Sequence, residues 1–132
     1  ATSLFKEQFK INTFDVDSYC ERIGSGSLAT SLTLRFTRRQ RMIYWLFWTA
    51  YSTRVNADDF EAFFGVPLKK MYGMELWLAK RLGLVTEHDG TYEMTLKGAF
   101  SYHYYENFYT LSYIDKMWGI LREEAFPESI KL

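Results

Sequence analysis

Asp89-Gly90 lies between two strand-like runs, Leu84–Glu87 and Thr91–Met94, and an Asp-Gly pair so flanked is the strongest short signal for a β-hairpin. The segments before it narrow the fold further. "NADDFEAFFG" predicts a short helix capped by Asn56, with acids in its first turn, Phe60, Phe63 and Phe64 buried, and Gly65 as its stop. "PLKKMYGMELWLAKRLG" predicts a second helix, with Pro67 opening it, Leu68, Met71, Tyr72, Leu76, Leu78, Ala79 and Leu82 supplying apolar faces, and Gly83 as its C-cap. So short a connection makes the two helices cross steeply, as in a helix-turn-helix. Thr95 then caps a long helix. This order predicts a mainly α, winged-helix-like domain with a small β-hairpin and a long C-terminal helix.

Upstream, Thr37 is placed to cap a helix through "RRQRMIYWLFWTAYS", with Ile43, Leu46, Phe47 and Ala50 on one face. "DVDSYCERI" predicts a short helix behind Asp15, with Val16, Tyr19 and Ile23 at helical spacing and "GSGS" ending it. The opening "TSLFKEQFKINTF" alternates only weakly and reads as extended. Residues 1–13 are accordingly expected to be a linker entering the domain, and 14–132 the winged-helix-like domain; the resemblance described below makes the linker one from a missing N-terminal domain.

Composition removes several function classes. The 132 residues suit one domain, and 48% hydrophobic with 24% charged content is that of a folded chain. Sixteen basic and sixteen acidic residues cancel, so no overall charge draws the chain to DNA or an anionic membrane. No run approaches the roughly 18 apolar residues of a membrane span. The single cysteine, Cys20, allows neither an internal disulfide nor a Cys-only metal site, and points to a reducing, cytoplasmic setting.

Catalytic chemistry is equally restricted. His88 and His103 are far apart in sequence, and His103 with Glu106 makes only one i, i+3 pair where a carboxylate-bridged metal site needs two. No nucleophile elbow or phosphate-binding glycine loop is present, so no catalytic and no metal-binding residue is assigned. In a DNA-binding winged helix the second helix, here carrying Lys69, Lys70, Lys80 and Arg81, would enter the major groove. The wing "TEHDGTYE" holds three acids and no Lys or Arg, which would repel the phosphates, so nucleic acid is not the expected partner.

Two features are left as candidate contact sites. Arg38, Arg39 and Arg41 crowd a helix N-terminus, where cations oppose the helix dipole by about 0.3–1 kcal/mol. They either pair with acids elsewhere or face an anion. "GAFSYHYYENFYTLSYIDKMW" carries aromatic side chains on two adjacent helical strips. Phe100, Tyr104 and Phe108 are expected in the core, and Tyr102, Tyr105, Tyr109 and Tyr113 on a docking face. His103 is expected to be a bystander.

The ordered set of a Tyr19 helix, a Gly26 loop, Arg38-Arg39 running into "MIYWL", "FFG", Gly83-Leu84, a short hairpin and Thr95-Leu96-Lys97-Gly98 resembles one family. It is the C-terminal domain of radical SAM enzymes related to oxygen-independent coproporphyrinogen III oxidase, including haem-utilisation relatives, over about residues 14 to 105. The loop "GSGSLATSL" lacks that family's usual proline, and the long tail fits the haem-utilisation branch better. The resemblance implies an N-terminal barrel in the same parent chain that holds a [4Fe-4S] cluster and cleaves S-adenosylmethionine, and no cofactor in this fragment, which alone should be inactive. It also implies that the domain covers the barrel and helps enclose a tetrapyrrole, with Arg38 and Arg39 as the side chains suited to propionate carboxylates. A stand-alone winged helix that binds nucleic acid or another protein is the alternative.

Overall fold

The computed structural model describes residues 2–128, apart from the side chains of residues 110, 113 and 117. The first elements in chain order are β1 (Thr2–Phe5), β2 (Gln8–Asn12), α1 (Val16–Gly24), β3 (Thr30–Arg35) and α2 (Arg38–Ala50). Then come β4 (Arg54–Asn56), α3 (Ala57–Phe64), α4 (Leu68–Arg81), β5 (Val85–His88), β6 (Thr91–Met94) and α5 (Leu96–Tyr109). A π-helical turn, Thr110–Ile114, leads into α6 (Asp115–Glu123). These elements form two compact units, Met42–Asn107 and Ala1–Arg41 with Phe108–Leu132.

Met42–Asn107 is a winged helix. Its sheet has the order β4-β6-β5, all antiparallel. Asp89 and Gly90 close the hairpin with φ of 46° and 74°, the paired positive values of a tight primed turn whose twist matches the strands. Asn56 does two jobs at the sheet edge: its Oδ1 accepts from the amides of Asp58 and Asp59 at 2.8 and 3.0 Å, capping α3, and its Nδ2 donates to Thr91 Oγ1 at 3.1 Å. Met42, Phe60, Phe64, Leu68 and Tyr92 form the core. Trp45 meets the rings of Phe60 and Phe64 edge-on, a favourable aromatic geometry. Phe63, expected inside, lies on the outer side of α3 and is 63% exposed.

The start of α5 is fixed by the end of α4. Gly83 takes a left-handed conformation (φ 68°), leaving the Leu82, Gly83 and Leu84 carbonyls to be satisfied from outside the helix. Thr95 donates its hydroxyl to Gly83 O at 2.7 Å and its amide to Leu84 O at 2.9 Å, while Lys97 Nζ donates to Leu82 O at 3.0 Å. The same hydroxyl accepts from Gly98 N at 3.0 Å and so caps α5. The helix then passes so near the strand that a Cβ on Gly98 would stand 1.8 Å from Leu84 O. Thr-x-Lys-Gly is therefore one joint in which each polar side chain closes a carbonyl and the glycine permits contact.

The second unit was not foreseen. Within the segment 1–13, expected as a linker, residues 2–12 form β1, a turn at Lys6-Glu7 and β2, which pairs with β3 in a sheet of order β1-β2-β3. Ile11 of β2 and Leu121 of α6 are fully buried against each other, with Phe9, Phe14, Leu32 and Ile114 around them. Because this core is built from sheet and α6, α1 contributes no buried residue, and Val16, Tyr19 and Ile23 lie exposed at the helical spacing expected of them.

Gly98→Ala drives a methyl group into backbone rather than a movable side chain, so it should cost about 3 kcal/mol or more. Gly119→Ala in α6, where an added Cβ meets nothing within 4 Å, should instead stabilise by about 1 kcal/mol. Urea denaturation of both variants beside the native chain checks the pair.

Candidate functional site

The close approach at Gly98 decides which side of α5 faces inward. Residues i+4 from Gly98 share its face, whereas Phe100 is turned to the opposite one. Tyr102 is the residue that packs: its ring lies 5.6 Å from that of Phe47, and its hydroxyl donates to Phe47 O at 2.6 Å. Burial, reinforced by Glu106 and Tyr51 nearby, pushes this phenol up to about 12. Phe100 and Tyr104, expected in the core, are 74% and 64% exposed, and Phe108 is likewise exposed.

The expected docking strip therefore divides. Tyr102 is committed to α2, Tyr105 is 70% exposed, Tyr109 is exposed to a lesser degree, and the side chain of Tyr113 lies outside the described residues. The outward surface of α5 in this unit is Leu96, Phe100 and Tyr104 at i, i+4 and i+8, flanked by Tyr105; Phe100 and Tyr104 stack with centroids 6.5 Å apart. His103 meets Tyr51 and Tyr102 edge-on at 5.4 and 5.2 Å. Gly98 was the signal in the sequence that would have oriented this helix.

Arg38 and Arg39 are exposed in the first turn of α2. They are held there by a capping box: Gln40 Oε1 accepts from the Thr37 amide at 2.8 Å, and Thr37 Oγ1 accepts from the Gln40 amide at 3.3 Å. Thr37 and Gln40 thus supply acceptors to the amides at the helix start, which the donor-only arginines could not do. The T-x-x-Q signature for this box stands in the sequence as "TRRQ".

On the winged helix, α4 does not present a groove-reading surface. Glu87 of the wing accepts from Lys69 at 2.8 Å through Oε1 and from Lys80 at 2.6 Å through Oε2. Hydrogen bonds from the two ammonium groups hold the Glu87 carboxyl at about 2. Beside them α4 exposes Met71, Met74, Trp77 and Leu78. Two of the four cations that a DNA-binding reading would need are thus turned onto the protein's own acid.

No group of three or more His, Cys, Asp or Glu stands together among the described residues, and Cys20 is exposed. These donors do not fit a [4Fe-4S] cluster, which takes several thiolates. No described helix is long and apolar enough to cross a membrane.

What fold and surface define is a winged-helix unit with an outward aromatic face. No family model matches the sequence, and no curated protein does. Among solved structures the chain is similar to coproporphyrinogen III oxidase (HemN) from Escherichia coli, a radical SAM enzyme, at 17% identity and a TM-score of 0.54. The match covers 78% of this chain and 25% of that one, so the chain spans about a quarter of the solved enzyme's length. At this identity the likeness is one of fold.

A carboxylate held low by its partners stabilises the folded state above its ordinary range, and that contribution is lost as pH falls through the folded value. The Glu87 contribution should thus be complete at neutral pH and decline between 4.5 and about 2. Glu87→Gln should lower the urea midpoint at neutral pH and flatten its fall over that window. An unchanged acid profile in the variant would contradict the bridge.

Proposed function

We propose that the chain is an accessory C-terminal domain of a radical SAM oxidoreductase resembling coproporphyrinogen III oxidase, which covers a catalytic barrel in the same parent chain and helps enclose a tetrapyrrole. The supporting observation is the likeness of fold to HemN over 78% of this chain and only 25% of that enzyme, the proportion of a domain to a larger whole. The cluster and S-adenosylmethionine belong, in this reading, to the barrel. The contribution of this chain is binding and enclosure.

Arg38 and Arg39 are the proposed substrate contacts. Their guanidinium forks suit the propionate carboxylates of a tetrapyrrole, and both side chains are exposed in the first turn of α2. Phe100, Tyr104 and Tyr105 are proposed to meet the barrel, since aromatic faces this exposed are those that protein interfaces cover. Tyr109 and Tyr113, which belong to the other unit, remain proposed contacts of that unit. Tyr102 leaves it, because its ring and hydroxyl hold α5 on α2. The proposed setting is the cytoplasm, where a lone thiol stays reduced. A second reading, a protein-interaction winged helix, draws on the same aromatic face. A nucleic-acid role has less support, given Lys69 and Lys80 paired to Glu87 and the apolar side chains along α4.

The coding sequence upstream of Ala1 tests the reading directly: it should encode a barrel with a CxxxCxxC loop, and its absence ends the proposal. Replacing Arg38 and Arg39 together by Ala should weaken binding of a tetrapyrrole carboxylate at least roughly tenfold, the value of one charge-assisted contact. Calorimetric titration with coproporphyrin measures this, and an unchanged affinity would remove the arginines from the site.

A further inference from the structure

Between α4 and the wing lies a pocket of about 210 Å³, distinct from both proposed surfaces and lined by Lys69, Gly73, Trp77 and Lys80 on the helix with Glu87 and Tyr92 on the hairpin. Its charged end holds two ammonium groups and one carboxylate, a net charge of +1. Each ammonium has three N–H donors; both give one to Glu87 and Lys69 also bonds the Tyr92 hydroxyl, which still leaves each with donor capacity. Trp77, 64% exposed, supplies a flat apolar wall. At Gly73 the helix carries no side chain, and a Cβ there would meet nothing within 4 Å, which leaves the lumen open. Tyr72 just before it departs from helical geometry (φ −133°, ψ 26°), separating the turn that bears Lys69 from those that bear Trp77 and Lys80.

We propose that this pocket binds a small aromatic monocarboxylate, its carboxylate taken by the remaining donors of Lys69 and Lys80 and its ring laid against Trp77. The net charge favours a single negative charge, since Glu87 in the floor repels a second. At about 210 Å³ the pocket lies below the range of about 300–1,000 Å³ that takes drug-sized ligands, which limits the ligand to roughly ten heavy atoms. A ligand of that size with one charged contact binds with a dissociation constant near about 1 mM.

Benzoate is the probe, titrated into the isotope-labelled chain to about 20 mM, well above the expected constant, while amide and indole N–H resonances are followed. Gly73 and the Trp77 indole should shift saturably, and benzyl alcohol, which lacks the charge, should bind several-fold more weakly. Gly73→Leu fills the lumen with a good helix former and should abolish the benzoate shifts while the other resonances stay in place. Shifts that rise linearly without saturation, equal binding of the alcohol, or saturable binding that survives Gly73→Leu each overturn the proposal.

Discussion

The contact between Gly98 and the Leu84 carbonyl is the constraint from which the exposed aromatic surface of the winged helix follows. It sets the rotation of α5 about its own axis, and the Thr95 hydroxyl, donating to Gly83 O and accepting from Gly98 N, sets where that helix begins. With both fixed, Tyr102 is directed to Phe47 and Phe100 with Tyr104 is directed away from the core. One absent methyl group thus decides which aromatics are structural and which are available to a partner.

The elements closed by local chemistry were legible in the sequence. Asp89-Gly90 specified its turn, Asn56 its cap and Gly65 its helix stop, because each acts on backbone within a few residues of itself. What escaped depends on partners distant in the chain. β2 is buried only because β3, some twenty residues on, and α6 near the other end cover it, so its "QFKIN" reads as weak alternation in isolation. β4 is three residues long, too short for any periodicity, and owes its place to pairing with β6.

The candidate surface was legible in content but not in orientation. Aromatic side chains lie all around α5, so hydrophobic periodicity offers no contrast between inside and outside. Charge was similarly readable as composition and not as pairing: α4 carries four cations, yet Glu87, eighteen residues from Lys69 and seven from Lys80, takes both of those. Sequence gave no warning of the bridge beyond an acidic wing, which already argued in the same direction.

The joint at Thr95 also has a mechanical meaning. Thr95 and Lys97 donate to the carbonyls of Leu82, Gly83 and Leu84, the residues that directly follow α4, so the start of α5 is tied to the end of α4. Tyr104 lies nine residues from Thr95, about 14 Å along the helix axis. A tilt of about 10° at the joint would carry its ring about 2 Å sideways over that length. Any change in direction at this joint is therefore multiplied by the length of α5 before it reaches the aromatic face.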